Sequence, residues 1–179
     1  MQNRLSAWLR PSDAQCGYLT RVIRILGHNN GAPTFPPHVT IVGEVGIPAD
    51  QAAERLRAAA ATEHRLDVVA RSAGDTNAFH RCVFLVCDKE PALMALNAVL
   101  RESLEDKSDD DYLPHLSLIY GDLASELREQ IVAELAVPLP LTLELTQLSL
   151  VNTSGNDPRG WMELGCPIEL RSKTEHRRG

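Results

Sequence analysis

The chain has 179 residues, is 44% hydrophobic, and carries a formal net charge of −6 with a pI near 5.5. That length suits one domain with a proper core, and the acidic balance excludes a protein that grips long nucleic acid through a broad basic face. No apolar run of about 18 residues and no signal-peptide core occurs, so a cytoplasmic protein without membrane contact is expected.

Leu5, Ala7 and Leu9 share one side of an alternating opening segment, which predicts a strand over 3–10 before Pro11. Ser12 and Asp13 then offer caps for a helix whose Cys16, Leu19, Val22, Ile23 and Leu26 form a stripe, with Gly27 as its predicted end. A proline-rich approach leads into a strand over 38–42, followed by a helix over 51–61 and a strand at 66–69. Residues 74–77 read as a turn and 80–87 as a strand. A helix over 91–104, an acidic loop, a strand over 115–120 and a helix over 124–136 come next. Two strands, 139–151 and 161–165, close the pattern, and a polar, mobile tail is expected over 171–179. Cys16, Cys82, Cys87 and Cys166 form no C-x-x-C pair, so they are read as free thiols rather than a zinc or redox motif.

The mixture of helices with directly successive strands, and the lack of a glycine-rich phosphate loop, predicts an α+β fold with antiparallel sheet. Within it one pattern occurs twice. Phe35-Pro36-Pro37-His38-Val39-Thr40-Ile41-Val42 and Tyr112-Leu113-Pro114-His115-Leu116-Ser117-Leu118-Ile119 both read aromatic, any, Pro, His, apolar, Ser/Thr, apolar, apolar. On a strand, residues two apart share a face, so His38 stands beside Thr40 and His115 beside Ser117. Such pairs are costly in a dry core and suit a wet cleft. Two imidazoles supply a base and an acid near neutral pH, and two hydroxyls can donate to a charged phosphate. If the strands belong to related lobes, a pseudo-twofold axis brings the two pairs face to face. Which histidine is the base stays open at this point. Arg10, Arg81 and Lys107 are the basic side chains that can approach such a site.

These residues resemble the two-histidine (2H) phosphoesterases, above all the plant and yeast cyclic phosphodiesterases acting on ADP-ribose 1'',2''-cyclic phosphate. The likeness also takes in Trp8 with Pro11, Cys82-Val83-Phe84-Leu85 and Tyr120. It implies one bilobal domain over 1–170, two antiparallel sheets with helices outside and a cleft between the lobes. It implies a metal-free hydrolase, without cofactor, that opens ADP-ribose 1'',2''-cyclic phosphate and nucleoside 2',3'-cyclic phosphates, by-products of tRNA splicing. By position, His38 and His115 match the catalytic pair, Thr40 and Ser117 the phosphate-binding hydroxyls, and Tyr120 and Trp8 aromatic residues near the substrate. Strict alternation puts Tyr120 on the wrong face, so its role requires a twist or bulge, which Gly121 would permit. Trp161 reads as core. The disulfide of the plant proteins is not reproduced, because the 58–61 helix segment has no cysteine to meet Cys166. The expected partner is a small nucleotide and the expected state a monomer. The alternatives are a 2',5'-RNA ligase-like or oligoribonucleotide phosphodiesterase, and a nucleotide-binding module without catalysis.

Overall fold

The computed structural model describes residues 4–108, 111–155 and 157–172. Strands are β1 (Leu5–Pro11), β2 (Val39–Val42), β3 (Leu66–Asp75), β4 (Val83–Cys87), β5 (His115–Ile119), β6 (Leu141–Asn152), β7 (Met162–Glu163) and β8 (Ile168–Glu169). Helices are α1 (Asp13–Asn30), α2 (Ala49–Ala60), α3 (Pro91–Ser103) and α4 (Ser125–Ala133). The α+β class with antiparallel pairing is as expected, and among the described residues no helix is long and apolar enough to cross a membrane.

The strand arrangement differs from two separate sheets. Hydrogen bonds lead from β1 through β2, β5, β4, β3 and β6, and β6 pairs back with β1, so the strands form one network. The long strands cause this. The first half of β3 pairs with β6 and its second half with β4, while β6 reaches β3 with Leu141–Leu145 and β1 with the rest of its length.

Two glycines depart from their predicted roles for physical reasons. Gly27 does not end α1 but lies inside it, where a Cβ would come 2.9 Å from the Ala32 carbonyl oxygen, and Gly31, at φ 65°, makes the left-handed cap one turn later. Gly74 does not turn the chain but sits in β3 opposite Phe84, whose ring occupies the space of the missing side chain. The predicted strand at 80–87 begins instead with a single 3₁₀ turn, Phe79–Arg81, before β4. Arg171, expected in the tail, exchanges backbone bonds with Glu63 and Arg65, and residues 173–179 lie outside the described residues.

The two repeated segments become neighbouring strands. β2 and β5 run antiparallel with Val39 paired to Leu116, the middle residues of the two motifs. Both are fully buried, with α3 packed behind β2 and α1 behind β5. Leu93, Leu96 and Leu100 of α3 and Leu19 and Ile23 of α1 supply that apolar backing. Leu116→Ala is expected to cost about 3 kcal/mol in urea unfolding, in the range for truncating a buried leucine. Val99→Ala, at a 56% exposed helix position, should change stability by less than about 0.5 kcal/mol. Equal effects would contradict this placement of the core.

Candidate active site

Because Val39 and Leu116 point into the core, their neighbours His38, Thr40, His115 and Ser117 face the other way, with His38 across from Ser117 and Thr40 across from His115. The sheet thus brings all four repeated polar residues to one place. Two adjoining pockets, of about 410 and about 360 Å³, meet there: Thr40, His115, Arg4, Gly43 and Arg81 line both and His38 the first, whereas Ser117 is buried and lines neither.

Each histidine is oriented in the same manner. The Nδ1–H of His38 donates to the Pro36 carbonyl at 2.7 Å, and that of His115 to the Leu113 carbonyl at 2.8 Å. A carbonyl only accepts, so Nδ1 carries the proton and Nε2 of the neutral ring is left with its lone pair. The repeated proline explains the geometry: Pro37 and Pro114 hold the preceding residue extended, which aims its carbonyl at the ring two positions on.

The surroundings of the two rings differ. His38 is only 4% exposed. Trp8 stacks flat on it, with centroids 3.6 Å apart and planes 7° from parallel, and the Tyr120 hydroxyl lies 3.3 Å from its Nε2. Phe35, the aromatic of the first motif, stacks on Tyr120 at 3.8 Å. His115 is more open and meets the edge of Phe84 at 5.4 Å. Burial therefore pushes His38 down to about 3, against the pull of the Pro36 carbonyl, with the charges of Arg10 and His115 adding to the fall. His115 is lowered too, first by burial and then by Arg81, with the Leu113 carbonyl opposing.

The required bulge is present, but not at Gly121. Val83 pairs with Ile119 and Phe84 with Ser117, so one step on β4 matches two on β5. Leu118 and Ile119 are both buried in apolar packing as a result, and Tyr120 returns to the His38 side. Burial raises the Tyr120 phenol well above its ordinary value and keeps it a hydrogen-bond donor. Ser117 is drawn back, donating its hydroxyl to the His80 carbonyl at 3.0 Å.

Trp8, matched by position to an aromatic residue near the substrate, lines the pocket that holds both histidines and turns its ring face to His38. It is 3% exposed, and its indole N–H donates to Ser6, which donates to the Val42 carbonyl. Its ring face serves His38. Ser6, Trp8 and Arg10 share the strand face opposite Leu5, Ala7 and Leu9, so the alternation carried that signal. Trp161, expected in the core, packs against it only partly buried and also lines the larger pocket beside His80, Tyr120 and Trp8. No periodicity marked it, because it follows an irregular loop. Among the described residues, no group of three or more Asp, Glu, His or Cys could hold a metal ion. Cys16, Cys82, Cys87 and Cys166 are free thiols.

His38 binds protons less well folded than at its ordinary value of 6.5. The unfolded chain then takes up a proton that the native state refuses, so stability is full above about pH 6.5 and falls as pH drops toward about 3. The contribution approaches 1.4 kcal/mol per pH unit, roughly. Urea unfolding of wild type and His38→Asn between pH 7 and 5 should show a steeper loss in wild type. Parallel curves would contradict the burial of a neutral His38.

A model of the 2'-5' RNA ligase superfamily matches residues 11–157. The chain is 25% identical over 157 residues to a cyclic phosphodiesterase of Arabidopsis thaliana, covering 85% of this chain and 86% of that protein. Its fold is similar to that of E. coli LigT, solved with 3'-AMP, at a TM-score of 0.59, 16% identity and coverage of 93% and 98%. It is also similar to TT0787 of Thermus thermophilus, at a TM-score of 0.61, 17% identity and coverage of 95% and 99%. With two oriented histidines and two hydroxyls on paired strands, and the superfamily model spanning most of its length, the chain belongs to the 2'-5' RNA ligase superfamily of two-histidine phosphoesterases.

Proposed function

We propose that the protein is a metal-independent cyclic phosphodiesterase that converts ADP-ribose 1'',2''-cyclic phosphate to ADP-ribose 1''-phosphate and nucleoside 2',3'-cyclic phosphates to 2'-phosphates. What carries this reading is the pair of Nδ1-anchored imidazoles, each with an Nε2 set at one cleft. Water attacks phosphorus and gives a proton to one Nε2. The bond from phosphorus to the ribose 2'' or 3' oxygen breaks, and that oxygen takes a proton from the other ring. Thr40 and, after rotation away from the His80 carbonyl, Ser117 donate to the non-bridging oxygens.

The inequality of the two rings gives the reaction a direction. His38 is the harder to protonate, so in the singly protonated couple the proton sits on His115, the acid, and His38 is the base. Trp8 holds His38 in place, the Tyr120 hydroxyl at 3.3 Å from its Nε2 turns aside for the attacking water, and Trp161 offers the nucleobase an aromatic wall. A lobed, twofold arrangement belongs to the same proposal and is supported by the Val39–Leu116 pairing, which relates the motifs by a local dyad. The protein acts as a cytoplasmic monomer on small nucleotides. Its net charge of −6 favours these over long RNA.

Wild type should hydrolyse both substrate types in EDTA with a bell-shaped pH–rate profile, and His38→Ala and His115→Ala should each lose about a hundred- to ten-thousand-fold in kcat. Activity abolished by EDTA, or 2',5'-linked dinucleotides cleaved in preference to cyclic phosphates, would overturn the reading. For the direction, bis(4-nitrophenyl) phosphate, whose leaving groups need no acid, should restore His115→Ala far more than His38→Ala. The reverse order would exchange the two roles.

A further inference from the structure

The pocket of about 410 Å³ that holds both histidines is lined by Arg4, Arg81 and three histidines and by no Asp or Glu among the described residues. The chain as a whole has 24 acidic residues against 18 basic ones, so this lining departs sharply from the composition. The two arginines differ. Arg4 is ion-paired with Glu44 at 2.8 Å. Arg81 has no carboxylate partner among the described residues, is only partly exposed, and has a buried Nε–H without an acceptor.

Its position is fixed by neighbours that also fix the site. The turn carrying Arg81 is stapled by the Thr76 hydroxyl, which donates to the Arg81 carbonyl at 2.6 Å, and by the Ser117 hydroxyl on the adjacent His80 carbonyl. The guanidinium lies 5.9 Å from the centroid of Phe84. Phe84 is the cross-strand partner of Ser117 and packs its ring against His115, in the space left by Gly74. Arg81 therefore lines both pockets together with His115 and Thr40. Of the other two basic candidates, Arg10 is paired with Glu163 at 3.5 Å, and Lys107 reaches only the smaller pocket of the cleft.

We propose that Arg81, which belongs to neither repeated motif, is a catalytic residue that binds a non-bridging oxygen of the phosphate opened by His38 and His115. A partly buried guanidinium without a carboxylate partner among the described residues is costly, and an anion seated in the pocket offsets that cost. As water adds to phosphorus, charge grows on the non-bridging oxygens, where a fixed planar donor stabilises the transition state more than the substrate. The two hydroxyls supply hydrogen bonds and Arg81 the positive charge. The same charge weakens proton binding at His115 and so makes it a stronger acid.

The proposal rests on the phosphodiesterase reading, and its test separates the two. Arg81→Met keeps the aliphatic packing and removes the donors, and Arg81→Lys keeps the charge. By calorimetry, inorganic phosphate should bind Arg81→Met at least about tenfold more weakly than wild type, with Arg81→Lys between them. On adenosine 2',3'-cyclic phosphate, kcat/KM of Arg81→Met should fall about a hundredfold, recover in part with added guanidinium ion, and be accompanied by no drop in melting temperature. Phosphate affinity and kcat/KM both near wild type would overturn the assignment. So would a loss that guanidinium does not restore and that comes with a lower melting temperature, the mark of a structural role. Wild type that binds phosphate through Arg81 but opens no cyclic phosphate would overturn the functional reading and leave the anion site standing.

Discussion

The pairing of Val39 with Leu116 is the constraint on which the rest of the molecule depends. It fixes two strands in one register, and since side chains alternate, a slip of a single residue would send the histidines into the core and the valine and leucine into the cleft. The apolar backing from α1 and α3 makes that slip expensive, because Val39, Ile41, Leu116 and Leu118 are all fully or almost fully buried. The energy that holds the histidine-bearing face together therefore comes from the opposite face, from residues buried away from the cleft.

A nearly symmetric pair of motifs yields an asymmetric couple. Both histidines use the carbonyl two residues back as an anchor, and both owe the placement of that carbonyl to a proline. Beyond that anchor, His38 is enclosed by Trp8, Tyr120 and Phe35, whereas His115 meets the edge of Phe84 and has a more open side. Equal rings in unequal solvation titrate apart, which is what a reaction needing one base and one acid requires. The bulge in β5 contributes to this asymmetry, since without it Tyr120 would face away from His38.

Much of the site was legible in the sequence because a repeat of Pro-His-apolar-Ser/Thr joins a chemical requirement to a period of two. The four polar residues and the strand character of both segments followed from that, as did the need for a bulge before Tyr120. What was not legible depended on contacts between distant segments. The stacking of Trp8 on His38 depends on where β1 lies beside β2. Gly27 and Gly74 answer to close approach by Ala32 and Phe84, which no local pattern records. The joining of the strands into one network follows from the length of β6, whose second half reads as an ordinary strand until its partners are known. Trp161 reached the cleft from a loop without periodicity.

The central claim is that His38 and His115 act as one acid–base unit. The most direct measurement is kcat/KM on adenosine 2',3'-cyclic phosphate for His38→Ala, His115→Ala and the double variant, because residues that work as a unit are strongly non-additive. The account predicts that the double variant is little slower than either single one. Losses that multiply would mean independent contributions and would contradict it.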